Sequence, residues 1–381
     1  MNGILRRCCR SIASWSMTLT SVVTCTAKEV RSGSSAPNAR TGIRRSALST
    51  PHVGQWDLPD SPDFNDPDST GVSPSARNIR EGIRVSTAIG YLSPARNRLN
   101  LTIRCACLVK RVAVENGRAV GVEVEAGGAM QQVYGKRITL SAGAVASPAI
   151  LMRSGIGPRA ELERHGVRTV VDAPGVGANL IDHPRVMMMA DLSSEAIRRA
   201  EGTVHSRPSA MLRYTASDSK EFNDMQLSLM PLVDWMMMSG FPVEPGTPPK
   251  LLLFPALQRP RSRGRLTLRS ASPDDQPNIE LNYLADPEDM RRMIDGTRLA
   301  WRVMHQPAVA AGWPIVSATG QLLDQATLAS DSALMDFMRN NCSTMSHPVG
   351  TLKMGPASDS MAVVDQYCRM RGVEALRVVD A

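Results

Sequence analysis

At neutral pH a hydroxyl proton is best taken by a side chain whose pKa lies near 6.5. Six histidines offer that chemistry in this 381-residue chain. They stand singly along the sequence, with no spacing that would gather a metal ion. His347 lies in Asn341-Cys342-Ser343-Thr344-Met345-Ser346-His347-Pro348-Val349-Gly350-Thr351-Leu352-Lys353-Met354-Gly355. Read by itself, a histidine before proline is an ordinary loop histidine. His183, in Asp182-His183-Pro184, stands beside a carboxylate. Nucleophilic hydrolysis has no anchor, because neither Ser141 nor Ser147 sits in a Gly-x-Ser-x-Gly elbow. The seven cysteines are an odd number without a Cys-x-x-Cys pair, which reads as free thiols in a reducing compartment.

The stretch that would position a reactive group is Ile138–Gly157, ITLSAGAVASPAILMRSGIG. A short apolar run reads as a buried strand, and Ala142-Gly143-Ala144 as a tight turn of small residues. A helix then follows, with Ser147 expected at the N-cap and Pro148 at the first helical position, where its missing N–H costs nothing. The Ser154-Gly155-Ile156-Gly157 end, followed by Pro158, is a stop signal. Small residues at such a turn let backbone approach a ligand, and unpaired N–H groups there favour an anion. A purely structural strand-to-helix turn fits the same pattern.

Gly143-Ala144-x-x-Ser147-Pro148-x-Ile150-Leu151-x-x-Ser154-Gly155-Ile156-Gly157 resembles the second signature of the glucose–methanol–choline (GMC) flavoprotein oxidoreductases, and it fixes many positions within fifteen residues. Pro174-Gly175-Val176-Gly177-Ala178-Asn179-Leu180-Ile181-Asp182-His183-Pro184 is similar to that family's PGVG-x-NL-x-DHP block. The His347 segment resembles its H-P-x-G-T-x-x-M-G block. The likeness runs from Trp56 to Ala381, about 325 residues. It implies a chain that uses FAD to oxidise the CH–OH group of a small alcohol, as in choline dehydrogenase-like enzymes. His347 would accept the hydroxyl proton, Asp182 and His183 would have local structural roles, and Val109, Ala142, Gly143, Asp380 and Ala381 would contact the flavin. Substrate and electron acceptor are not legible.

The same likeness exposes gaps. A Gly-x-Gly-x-x-Gly turn, which seats the FAD pyrophosphate, is not found in the sequence, and the second catalytic position that would follow Ala381 is not present. The chain therefore reads as truncated at both ends. An inactive fragment that does not retain FAD, and a non-catalytic partner-binding remnant, stay open beside the oxidoreductase reading.

Around these blocks, 43% hydrophobic and 21% charged residues describe an ordinary globular protein long enough for two domains. The net charge of +8 is concentrated in residues 1–55, where eight Lys and Arg face Glu29 alone and supply +7. A near-neutral body carries no face for nucleic acid. The basic segment resembles a targeting leader only superficially, because Ser and Thr dilute its apolar part. Within it, Ser32-Gly33-Ser34-Ser35-Ala36-Pro37-Asn38 resembles the family's GGSS-x-x-N segment. No apolar run reaches the ~20 residues of a spanning helix; Leu227–Phe241 comes nearest and Asp234 interrupts it. Membrane association is not expected, and a cytoplasmic location is.

The fold class is α/β (α+β): a partial FAD-binding Rossmann-like domain with a second, mostly antiparallel-sheet substrate domain. The expected division is 1–55 a basic remnant, 56–184 the partial FAD-binding domain, 185–340 the substrate domain, and 341–381 a return carrying the His347 segment. Pro62–Asp68 is expected to be a turn-rich loop near the site entrance. Arg84–Ala88 and Tyr91–Arg96 read as a capped helix. Leu99–Arg104 and Leu108–Val114 read as strands, with a turn at Gly117-Arg118-Ala119 into Val120–Glu125. Ala160–His165 reads as a short helix, and Leu251–Leu257, Arg265–Arg269 and Ile279–Tyr283 as antiparallel strands. After Asp286-Pro287, a helix over Asp289–His305 should bury Met290, Met293, Ile294, Thr297 and Met304.

Overall fold

Lys250–Leu257 shows why this chain makes a sheet covered on both sides. Every residue after Lys250 in that strand is buried, so neither face meets water. The computed structural model describes residues 59, 61, 63–74, 78–80, 83–192, 210–233, 250–306 and 314–380. The basic leader, the Ser32–Asn38 segment, the end of Leu227–Phe241 and Ala381 lie outside the described residues.

The principal strands in chain order are β1 (Gly71–Pro74), β2 (Cys107–Glu115), β3 (Arg118–Ala126), β4 (Ala129–Tyr134), β5 (Ile138–Leu140), β6 (Pro184–Val186), β7 (Met188–Asp191), β8 (Ala210–Tyr214), β9 (Met225–Val233), β10 (Lys250–Leu257), β11 (Val316–Ser317), β12 (Cys342–Thr344) and β13 (Leu376–Val378), with short two-strand pairs beside them, such as Arg265–Thr267 against Asn278–Glu280. The helices that matter here are α1 (Gly143–Arg153), α2 (Pro287–Met304) and α3 (Asp331–Asn341). An antiparallel sheet runs β1-β8-β9-β10-β6-β12, with β7 pairing β10 and β11. Because side chains alternate between faces, this sheet is read as two surfaces. Val186, Met188, Leu251, Leu253, Leu257, Met225, Leu227 and Leu229 pack with α2 and α3 in the larger core. Met187, Leu252, Phe254 and Ala256 form a separate cluster.

Helix α2 starts at Pro287 with Asp286 as its N-cap, the Asp286 carboxylate accepting from Glu288 N at 2.8 Å. All five residues of its expected apolar stripe are buried. Arg292, fully buried, ties the helix to its surroundings: it donates to Asp224 Oδ2 at 2.8 Å and to Asp289 Oδ1 at 2.6 Å. Asp289 in turn accepts from the backbone N–H groups of Arg261 and Ser262.

The second core lies under β2, β5, α1 and β13. The hairpin β2–β3 turns at Asn116-Gly117, both with positive φ (48° and 77°), one residue earlier than the expected Gly117–Ala119 turn. β5 and β13 pair in parallel, Leu376 opposite Ile138 and Val378 opposite Leu140. Two expectations fail locally. Leu99–Arg104 is not a strand: apart from Leu101 its side chains are largely exposed and it has no pairing partner among the described residues. Its period-2 pattern lacks a second strand to make it useful. The expected capped helix over Arg84–Arg96 is a short π-helical turn over Ala88–Leu92 running into Ser93–Ala95, preceded by a two-residue strand at Ile83–Arg84.

Candidate active site

Asp182 is the residue on which the site is hung. It is buried, and its two carboxylate oxygens receive four donors. Oδ1 accepts from His183 N at 2.7 Å and from His347 N at 3.0 Å. Oδ2 accepts from the Tyr283 hydroxyl at 2.6 Å and from the Thr344 hydroxyl. Burial works to raise the pKa of Asp182, but the hydrogen bonds from Thr344, Tyr283, His347 and His183 outweigh it and hold the carboxyl below its ordinary range. The same burial and the bond to this carboxylate push the Tyr283 hydroxyl up, so Tyr283 stays a donor.

Two backbone segments meet on this carboxylate. Ile181 and Val349 exchange N–H···O bonds of 2.9 and 2.8 Å, and Leu180 does the same with Gly264 on its other side. Gly177 N donates to Thr351 O at 2.9 Å. The Pro174–Pro184 block thus lies antiparallel along the His347 block. Gly350 sits at φ 89°, and a Cβ there would come within 2.6 Å of Asn179 O, so only glycine fits the crossing. The backbone at His347 is fixed, whereas its ring is exposed. No hydrogen bond reaches either ring nitrogen of His347 among the described residues. The ring packs edge-on against His183, centroids 5.6 Å apart at 89°. His183 Nδ1 faces Leu257 O at 3.2 Å. Burial pushes the His183 pKa down; the Leu257 carbonyl raises it, His347 lowers it further, Asp182 raises it, and the net is downward.

The strand-to-helix turn differs from its sequence reading. Helix α1 already begins at Gly143, with Ala142 as N-cap, so Ser147 is not the N-cap and Pro148 lies inside the helix. Proline there removes the N–H that Ala144 O would receive. The Thr351 hydroxyl replaces it, donating to Ala144 O at 2.6 Å in a fully buried position. Ser147 is buried and still caps from within: its Oγ accepts from Ala142 N at 2.9 Å and donates to Asp380 Oδ2 at 2.5 Å. Gly143 N donates to the same Asp380 oxygen at 2.7 Å. The anion at this helix start is therefore the chain's own carboxylate, favourably placed against the helix dipole. Gly143 takes φ 89°, and a Cβ on it would meet nothing within 4 Å. Val109 is half-buried against the second core.

Residues 56–185 match the N-terminal GMC oxidoreductase family model and residues 260–381 the C-terminal one. The chain belongs to the GMC oxidoreductase family. GMC oxidoreductases are FAD-binding flavoproteins. An oxygen-dependent choline dehydrogenase of Photobacterium profundum is 33% identical over 350 residues, covering 86% of this chain and 60% of that protein. An uncharacterised GMC-type oxidoreductase of Mycobacterium tuberculosis is 36% identical over 332 residues, 83% of this chain and 61% of its own. Among solved structures, pyridoxine 4-oxidase from Mesorbium loti superimposes with a TM-score of 0.71 at 29% identity, covering 85% of this chain and 62% of that one. A formate oxidase gives 0.71 at 25%, covering 86% and 63%. The chain thus spans about 60% of the length of the curated relatives it matches.

The GMC resemblance bears on what the turn can hold. With the N–H groups of Ala142 and Gly143 committed and open space in front of Gly143, the turn suits an uncharged ring lying against backbone, and it does not suit a phosphate. Among the described residues no group of three or more His, Cys, Asp or Glu could hold a metal ion, and no helix is long and apolar enough to cross a membrane. Sequence reasoning missed Tyr283, Thr344 and Thr351. The last two lie in the His347 block, but nothing local marks them as partners of Asp182 and Ala144. Tyr283 carries no signal at all.

Proposed function

We propose that this GMC chain is an FAD-dependent oxidoreductase acting on the CH–OH group of a small alcohol. When bound, FAD accepts the hydride leaving the carbinol carbon. His347 takes the hydroxyl proton on a ring nitrogen, and the donor leaves as the carbonyl compound. Asp182 acts by position, holding the His347 main chain and the neighbouring His183 through its Oδ1. Val109, Ala142, Gly143, Asp380 and Ala381 are assigned to the flavin side. The observation that carries this reading is the convergence of two remote blocks. His347 stands four residues before Thr351, whose hydroxyl closes on Ala144 beside the Ala142-Gly143 turn.

Purification with FAD in the buffer, followed by a dye-reduction assay with short alcohols, tests it. Protein that retains flavin absorbance and reduces dye supports the proposal. Colourless protein without turnover overturns it. In His347→Ala, turnover should fall about a hundredfold or more while flavin absorbance is kept, the usual scale of a lost general base.

A further inference from the structure

One cross-strand row of the large sheet carries polar atoms that the Asp182 network does not use. Ser343 on β12 stands opposite Arg185 on β6, Arg185 opposite Ala256 on β10, and Ala256 opposite Gln226 on β9. Residues directly opposed in antiparallel strands point to the same face. That face also holds Met187, Leu252 and Phe254. Arg185 follows, by two residues along the chain, the histidine that packs against His347.

Arg185 is half-buried, and its Nε is buried without a hydrogen-bond partner; the buried Oγ of Ser343 beside it also has none. Among the described residues no carboxylate pairs with the guanidinium. The Asp182 charge acts on Arg185, but its oxygens are filled by four other donors. The guanidinium carbon lies over the Phe254 ring, 5.2 Å from its centroid. A guanidinium held over an aromatic face still donates in its own plane, where a two-oxygen acceptor can take two N–H groups at once. A half-buried cation with an unpartnered Nε, beside an unpartnered hydroxyl on an apolar floor, favours an added acceptor and repels a second cation.

We propose that Arg185 and Ser343 form a specificity subsite for the carboxylate of the alcohol substrate, so that this chain selects a small hydroxy acid over a quaternary ammonium alcohol. The proposal rests on the oxidoreductase reading for the fate of the hydroxyl, but the recognition step is separable from turnover.

Calorimetric titration of the full chain, without flavin and again with FAD supplied, compares glycolate, ethanol and choline. Glycolate should bind about tenfold or more tightly than either of the others. Arg185→Gln should lose that preference, Arg185→Lys should keep part of it, and Ser343→Ala should weaken glycolate several-fold. Equal binding of glycolate and choline, glycolate binding unchanged in Arg185→Gln, or no glycolate binding with or without FAD would each overturn the proposal. If Arg185→Gln fails to fold, the wild-type competition between glycolate and choline decides. Dye reduction is read separately: its absence counts against the oxidoreductase reading while leaving a positive binding result intact. Turnover that favours choline and is indifferent to Arg185 counts against the subsite alone.

Discussion

Four donors converge on the two oxygens of Asp182. Asparagine has one carbonyl oxygen and places an amide where the other oxygen accepts, so Asp182→Asn leaves buried donors facing a donor. Hydrogen bonds to a charged group contribute about 1.5–3 kcal/mol each. Asp182→Asn should therefore lower unfolding free energy in urea by about 3 kcal/mol. His347→Ala, an exposed ring whose backbone is held independently, should stay within about 0.5 kcal/mol. His183 gives the pH dependence its sign. Its folded pKa lies below the ordinary 6.5 or so of the free side chain, so the unfolded chain binds more protons just below that pH. Stability should be full above roughly pH 6.5 and fall as the pH is lowered toward the folded pKa. In His183→Gln, denaturation midpoints at pH 7.5 and 5.5 should differ less than in the wild type. An unchanged difference would place the titrating group elsewhere.

At the scale of elements, α1 shows what local rules can and cannot tell. A serine followed by proline ordinarily starts a helix, and that rule places the start five residues late. The helix tolerates Pro148 because a threonine about 200 positions away supplies the missing donor. Nothing within the motif could reveal this, although Thr351 belongs to the block that was singled out. By contrast, α2 was legible to within two residues at its start and one at its end, because its cap, its proline and its apolar stripe are all local. The two errors at Leu99–Arg104 and at the Asn116-Gly117 turn share a cause: pairing partner and register decide a strand, and neither is visible in a short window. A double-mutant cycle tests the Pro148–Thr351 relation. Thr351→Val should cost about 2 kcal/mol by stranding a buried carbonyl. In a Pro148→Ala background, where the helix can supply its own N–H to Ala144, the same change should cost clearly less. Additive costs would mean that the hydroxyl is not replacing the helix bond.

At the scale of the whole molecule, Arg292 joins α2 to the loop before β9 and to the Arg261-Ser262 backbone. Its two carboxylate partners are wholly buried with it. Removing the cation alone leaves two uncompensated charges, and Arg292→Met should destabilise by about 3–5 kcal/mol in chemical denaturation. Restoring neutrality with Asp224→Asn and Asp289→Asn together should recover much of that loss. The three family blocks were readable because each fixes many residues over a short distance. The polar atoms on the Arg185 row were not, because only sheet register sets them side by side.

The first turn of α1 is completed by a carboxylate 237 positions downstream. A growing chain therefore makes its strand–turn–helix long before the acid that quiets the exposed amide ends has been synthesised. Until β13 slides in beside β5, the small-residue corner is an unsatisfied hook, and contacts of such long separation form slowly. Assembly of this corner is thus a late event by construction, gated by arrival of distant chain rather than by helix formation.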